Sequence, residues 1–89
     1  MIYLVSYNLK VPGRDYGKLY EVLKSADSWS HYLEATWMLY SSDALETWNK
    51  RIRSVLDQND RFIIVDVTGK QRNGWLPAKA WDWIRNHQT

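Results

Sequence analysis

The sequence predicts a small α+β domain built on an antiparallel sheet. Three observations favour this class: a first strand that is apolar on both faces, two amphipathic helical stretches, and a second apolar strand at residues 62–68. At 89 residues the chain has room for one hydrophobic core, so residues 1–89 are expected to form a single domain. Neither an internal repeat nor an interdomain linker interrupts this pattern.

The first strand is predicted over residues 2–8, just before the turn-forming pair Pro12-Gly13. Alternation places Tyr3, Val5 and Tyr7 on one face of the sheet and the residues between them on the other. Apolar side chains on both faces favour a central position for this strand.

A helix of about three turns is predicted next, with Asp15 as its N-cap. Its apolar stripe comprises Tyr16, Leu19, Val22, Leu23 and Ala26. Residues 29–40 then favour extended structure, interpreted as a hairpin or bulged pair that turns near Glu34-Ala35.

A second helix is predicted to start at Asp43, which with Glu46 three residues later resembles a capping box. Its apolar stripe comprises Leu45, Trp48, Ile52, Val55 and Leu56. Residues 62–68 follow as a strand, predicted to be the second central one, with Asp66 near its end.

Residues 69–74 form a polar loop, and Pro77 is placed to open a terminal helix that ends near Asn86. The order is strand, helix, two strands, helix, strand and a last helix, which is a split strand–helix–strand pattern. Both main helices are expected on one face of the sheet. The other face stays partly open to the terminal helix or to a second subunit.

Composition narrows the class of protein. The chain is 45% hydrophobic and 25% charged, as in ordinary globular proteins. It has no cysteine and its first residues do not resemble an export signal, so a cytoplasmic protein free of the membrane is expected. Six Trp, six Tyr and one Phe exceed what so small a core normally holds, which predicts aromatic surface that is exposed or buried between subunits.

Catalytic candidates are few. The two histidines are His31, within the hairpin, and His87, near the end of the chain, and neither is accompanied by a recognisable nucleophile. Divalent-metal chemistry favours carboxylates at strand ends, where Asp66 is the candidate and Asn8 offers a neutral carbonyl oxygen. His31 is more simply explained as a sheet residue, and Asp66 as a solvated residue near a strand end.

Basic residues suggest a phosphate-bearing partner, although the net charge is only +2. Lys10 and Arg14 flank a predicted helix start, without any glycine-rich phosphate loop. The stronger hint is the interleaving of basic and aromatic residues late in the chain, since stacking combined with phosphate pairing holds nucleotides and single strands. This set comprises Lys70, Arg72, Trp75 and Lys79, with Arg85 near Trp81 and Trp83.

The outer face of the second helix carries Lys50, Arg51 and Arg53, which could likewise bind phosphate. Both basic sets also have a simpler interpretation, in which the tryptophans bury against the sheet or a twin subunit while the charges solvate a helix. That simpler interpretation is favoured for both basic sets.

Three segments of the sequence resemble a known family. Residues 3–9 (YLVSYNL), 29–37 (WSHYLEATW) and 65–69 (VDVTG) are similar to small Cas2-like proteins of the SinR family, more distantly to Cas2 and to the VapD ribonuclease toxin. The resemblance implies a ferredoxin-like βαββαβ fold, a homodimer, possible nucleic-acid binding and a bacterial or phage setting. Cas2-like nucleases are pictured with an Asp ending the first strand and paired around a metal, and Asn8 stands at that position here. The missing carboxylate weakens the case for catalysis.

Three hypotheses therefore stand. The first is a homodimer that binds nucleic acid or protein without catalysis and without a cofactor. The second is a metal-dependent endoribonuclease or toxin that uses Asp66, assisted by Asn8 or His31, for which Mg²⁺ would be required. The third is a sponge for small nucleotides, held between aromatic rings at a subunit interface.

Overall fold

The chain folds into a four-stranded antiparallel sheet with helices on both sides. The structure, a computed structural model, describes residues 1–10 and 16–87. In chain order the elements are β1 (Ile2–Asn8), α1 (Gly17–Lys24), β2 (Ser28–Leu33), β3 (Thr36–Tyr40), α2 (Leu45–Arg53), β4 (Arg61–Asp66) and α3 (Ala78–His87). The predicted α+β class is confirmed.

The strand order is β2-β3-β1-β4, and every neighbouring pair is antiparallel. In the unit β1-α1-β2, the strand β3 lies between the two strands, and in β3-α2-β4 the strand β1 does so. Both strand–helix–strand units are thus split, an arrangement compatible with a ferredoxin-like fold.

The predicted hairpin is confirmed, because β2 and β3 are joined through Glu34 and Ala35. The register between them shifts between Ser30 and Leu33, which is the predicted irregularity. β1 is central, as its two apolar faces indicated.

The predicted central position of β4 is wrong, because β4 is an edge strand that pairs with β1 alone. It carries apolar residues on both faces, but these faces are not both buried. Ile64 packs against the core, whereas Ile63 and Val65 point to the opposite face and are exposed. Asp66 consequently ends an edge strand.

The predicted cap of α2 is also wrong. The N-cap position is Ala44, and no side chain caps the helix. Asp43 precedes the helix, and its carboxylate instead forms an ion pair with Arg51 of α2, 2.8 Å from its Nη1. The predicted cap of α1, Asp15, lies outside the described residues.

The main core lies between the sheet and the helices α1 and α2. Its largest members are Trp37 and Trp48, each with at most 1% of its surface exposed. The other buried members are Tyr3, Val5, Leu19, Leu23, Leu39 and Ile52. We call this side of the sheet the covered face and the opposite side the open face. Both main helices pack on the covered face, as predicted.

Candidate binding surface on the open face

The terminal helix α3 covers one half of the open face. Its residues Ala80 and Ile84 are buried, and Trp83 donates its indole N–H to the Ser28 hydroxyl of β2 at 2.9 Å. The His87 ring stacks on Trp83, with 4.3 Å between ring centroids, and its Nδ1 donates to the Trp83 carbonyl oxygen. These contacts fix α3 over β2 and leave the β4 edge of the open face exposed.

The exposed β4 edge of the open face carries an apolar strip formed by Ile63, which is 60% exposed, and Val65, which is 41% exposed. At the opposite edge of the sheet, Tyr32 and Leu33 of β2 are about half exposed. Trp75, in the irregular segment between β4 and α3, is 99% exposed. A fully exposed indole and two exposed β-branched residues are unusual for a stable monomer surface, because these side chains leave a large apolar area in water.

A cavity of about 380 Å³ lies between the open face, residues 72–76 and α3. Its walls are mainly apolar, with Leu4 and Met38 from the central strands and Trp81 from α3. The complete lining is Leu4, Ser30, Tyr32, Leu33, Thr36, Met38, Arg72, Asn73, Gly74, Trp75, Leu76, Ala80, Trp81 and Ile84. Arg72 is the one charged residue in this lining.

Arg72 holds the loop that follows β4. Its Nε donates to the Lys70 carbonyl oxygen at 2.9 Å, and its Nη2 donates to the Val67 carbonyl oxygen at 2.8 Å. The remaining terminal nitrogen, Nη1, is buried and has no hydrogen-bond partner. The turn itself uses Gly69, whose φ of 66° lies in the left-handed region that favours glycine. Two of the three guanidinium nitrogens therefore serve the fold.

Asn8 and Asp66, the two candidates for a metal site, lie at opposite ends of the sheet. Asn8 is paired with Arg61 at the start of β4, whereas Asp66 is paired with Tyr3. The two pairs are five residue steps apart along β1, a distance of roughly 17 Å in a strand. The two side chains cannot share one metal ion within a subunit.

The Asp66 carboxylate has partners within its own turn. Its Oδ1 accepts from the Thr68 hydroxyl at 2.6 Å and from the Thr68 backbone N–H at 2.9 Å. Thr68 Oγ1 in turn accepts from the Ile2 backbone N–H at 2.8 Å. Because these hydrogen bonds favour the charged form, the pKa of Asp66 is lowered. This chain of hydrogen bonds ties the start of β1 to the end of β4.

His31 belongs to an aromatic cluster on the covered face. Its ring stacks on Trp37, with 3.9 Å between centroids, and its Nε2 donates to the Glu34 carbonyl oxygen at 2.9 Å. His31 is therefore held by Trp37 and Glu34 and does not form a metal site with Asn8 and Asp66. Among residues 1–10 and 16–87, no group of three His, Cys, Asp or Glu side chains is placed to hold a metal ion.

The predicted basic residues are spread over separate surfaces. Lys50, Arg51 and Arg53 lie on α2, on the other side of the sheet from the cavity. Arg51 is occupied by its ion pair with Asp43 and lies over the Trp48 ring, 4.9 Å from the centroid. The α2 cations that keep an exposed side chain without such a contact are Lys50 and Arg53.

Lys10 lies after β1, at the Asn8 end, where its backbone N–H donates to Asp60. Lys70 and Lys79 are exposed near opposite ends of the segment that contains Trp75. Arg14 lies outside the described residues. The structure thus divides the predicted anion-binding residues into an α2 set, a Lys10 end and a loop set. Arg72 and Trp75 of the loop set line the cavity on the open face, whereas Arg53 lines a separate one that includes Arg61.

The sequence analysis did not identify the cavity, whose walls include Leu4, Met38 and Leu76. The alternation of Ile63 and Val65 with packed residues was visible, but an apolar face of an edge strand cannot be told from a buried one without the strand order. In the part of the chain that the structure describes, no helix is long and apolar enough to cross a bilayer.

Fold and surface together define a small α+β domain with split strand–helix–strand units and a half-covered sheet. No family model and no curated protein matches the sequence. Among solved structures, the chain is similar to the hypothetical protein TT1823 from Thermus thermophilus, with a TM-score of 0.62 and 28% identity over 85% of this chain and 93% of that one. This similarity supports the fold class.

Proposed function

We propose that the chain is a Cas2-like binding protein that works as a homodimer and binds nucleic acid without catalysis. The observation that carries the proposal is the exposed apolar strip of Ile63 and Val65 on β4, together with the fully exposed Trp75 on the same side of the sheet. A second copy of the chain fits this strip because a twofold contact requires one patch to be complementary to itself, and apolar side chains can pack against their own copies.

The size of the patch is consistent with a dimer. A standard interface buries about 800 Å² on each partner, and a buried aromatic residue contributes about 150–250 Å². Trp75 alone would therefore supply roughly a quarter of one side. Trp is also the residue most often found as an energetic anchor of interfaces.

Dimerisation through the open face leaves both copies of α2 on the outside. The exposed cations Lys50 and Arg53 would then be presented twice, on a particle whose formal net charge of +2 per chain is doubled. Such a surface favours phosphate contacts that depend on salt and are independent of base sequence.

The arrangement of polar groups supports binding over hydrolysis. The residue at the end of β1 is the neutral Asn8, and the Asp66 carboxylate, at the opposite end of the sheet, already accepts two hydrogen bonds from Thr68. A metal-bound water mechanism requires charged oxygen ligands that converge on one ion.

Self-association is tested by light scattering after gel filtration. We expect the native chain to elute as a dimer and the double variant Ile63→Thr, Val65→Thr to elute as a monomer, because threonine keeps the strand propensity but removes apolar area. Leu45→Thr, at an exposed apolar position on α2, is the matched control and should stay dimeric. A native chain that is monomeric at tens of micromolar would refute the dimer.

Nucleic-acid binding is tested by fluorescence anisotropy with labelled RNA and DNA in EDTA. We expect affinity that falls steeply with salt and that is reduced in the double variant Lys50→Gln, Arg53→Gln, whereas Lys18→Gln on α1 binds like the native chain. Absence of binding at low salt would contradict the nucleic-acid partner and favour a protein one. Cleavage that EDTA and Asp66→Ala both abolish would establish the nuclease instead.

A further inference from the structure

The two edges of the sheet differ in their regularity. At one edge, β2 changes register against β3 between Ser30 and Leu33, and α3 is bonded to it through Trp83. At the other edge, β4 pairs with β1 without a break and contains neither proline nor lysine. Irregularity is a common protection of a sheet edge, whereas a regular apolar edge strand is open to pairing with another chain.

We propose that β4 pairs with β4 of a second copy of the chain, so that the two sheets join along this edge into one. This inference rests on the proposed homodimer and specifies the backbone groups that hold it together. We call the line where the two β4 strands meet the seam. Ile63 and Val65 lie beside the seam, so the apolar strip and the strand edge form one continuous interface.

The backbone groups available at the seam follow from one hydrogen bond. The N–H of Val67, just after β4, donates to the Ile2 carbonyl oxygen of β1 at 2.9 Å. Backbone groups alternate in direction along an antiparallel strand. Those of Phe62, Ile64 and Asp66 therefore point away from β1, and we call their N–H groups the outward amides.

A twofold axis at Ile64 pairs all of these groups. Phe62 of each copy then lies opposite the partner's Asp66, and about six hydrogen bonds cross the seam. On the open face, the same register sets Ile63 opposite the partner's Val65, a cross-strand pair of β-branched side chains. Other registers leave outward groups of β4 without a partner in the second β4.

The charges at the ends of β4 favour an antiparallel copy of the same strand. Arg61 begins the strand and Asp66 ends it. Antiparallel pairing therefore brings opposite charges close together at both ends of the seam, which stabilises a strand pair. The assembly also closes at two chains, because the contact uses the regular edge of each sheet and leaves the irregular β2 edges outside.

Amide hydrogen exchange followed by NMR tests the pairing. In the native dimer, the outward amides should exchange at least about tenfold more slowly than in the monomeric double variant Ile63→Thr, Val65→Thr, because exchange then requires dissociation. The Leu4 amide is the control: like that of Ile2, which donates to Thr68, it is directed at the β4 side within the subunit and should be slow in both.

The outcomes separate the seam from the dimer itself. A dimer whose outward amides exchange as fast as in the monomer would refute the edge pairing and leave the proposed homodimer standing. A native chain that is monomeric would refute both.

The register is tested with introduced cysteines, since the native chain has none. Ile63→Cys and Val65→Cys chains, mixed and mildly oxidised, should form a disulfide-linked heterodimer, because opposite residues have Cβ atoms about 4.5–5.5 Å apart. Each variant alone should cross-link far less, since diagonal neighbours are about 7–8 Å apart, beyond the reach of a disulfide. Ile63→Cys mixed with Leu45→Cys is the matched control and should give no mixed disulfide. Cross-linking of either variant alone as efficient as that of the mixture would overturn the edge pairing.

Discussion

The two faces of the sheet differ although the same strands build both. On β4, Ile64 packs against the core while its neighbour Ile63 is 60% exposed. On the covered face the apolar side chains are enclosed by two helices, and the Trp37 indole donates to the Tyr7 hydroxyl at 3.0 Å. On the open face one helix covers half of the surface. The covered face therefore stabilises the fold, and the open face is available for binding.

The largest expected contrast is between two tryptophans, one on each side of the sheet. Trp37→Ala should lower the free energy of unfolding by about 3–5 kcal/mol, because it removes a fully buried ring from the centre of the core. Trp75→Ala should leave the stability of the monomer unchanged, since its ring is in water. Urea unfolding of both variants, at a concentration where the chain is monomeric, measures the difference. Equal losses would mean that the two faces do not differ as described.

The next largest effect is expected at Asp60, a buried carboxylate near the covered face. Its oxygens accept from the backbone N–H groups of Lys10 and Asp57 and from the Tyr16 hydroxyl, all within 2.9 Å. Asp60→Ala leaves these donors without this acceptor and should cost about 2–3 kcal/mol. Asp60→Asn keeps an acceptor oxygen and should cost less. Thermal unfolding compares the two, and identical melting temperatures would show that the hydrogen bonds do not carry the effect.

A single hydroxyl provides a smaller test of the same contrast. The Tyr3 hydroxyl donates to the Asp43 carbonyl oxygen at 2.7 Å, and its burial raises the pKa of the phenol. Tyr3→Phe should lower the free energy of unfolding by about 1 kcal/mol, which is roughly 4–8 °C in melting temperature for a domain of this size. Tyr32→Phe, at an exposed position on the open face, is the matched control and should change neither. A loss at Tyr32 as large as that at Tyr3 would place Tyr32 in the folded core.

Much of the fold follows from local patterns. Alternation of side chains predicted the strands, helical spacing of apolar residues predicted the helices, and the short turn at Glu34-Ala35 predicted the hairpin. The strand order decides the rest, because it depends on contacts between distant segments. The central position predicted for β4 was wrong for that reason: Ile63 and Val65 have the pattern of a buried strand but lie on an exposed edge. The cap predicted at Asp43 was wrong because α2 begins one residue later, with Ala44 at the N-cap position, and the Asp43 carboxylate pairs with Arg51 instead.

The candidate site was less accessible to sequence reasoning. Arg72 and Trp75 were recognised as a basic and aromatic pair. Their spacing does not show that two nitrogens of Arg72 donate to backbone carbonyl oxygens, or that Trp75 is fully exposed. Asn8 and Asp66 are both strand-end residues, and only the antiparallel register shows that they lie at opposite ends of the sheet. Geometry of this kind comes from pairing, which local residue patterns do not encode.

The smallest expected effect concerns the turn that joins the sheet to the segment bordering the open face. The pKa of Asp66 is lowered by its hydrogen bonds from Thr68, so the folded state favours the carboxylate more than the unfolded state does. Its contribution to stability is therefore complete above the unfolded pKa, near 3.8, and disappears as the pH falls through the lower folded value. Asp66→Asn should lower the free energy of unfolding by less than about 1 kcal/mol at pH 7, because the group is exposed. The difference from the native chain should vanish in strong acid.

Urea unfolding between pH 7 and pH 2 measures this difference, with Asp27→Asn as a control for removing one exposed charge. A difference that stays constant across this range would show that the Asp66 carboxylate contributes nothing through its charge, and β1 and β4 would then be held by their pairing and by the Thr68 hydroxyl.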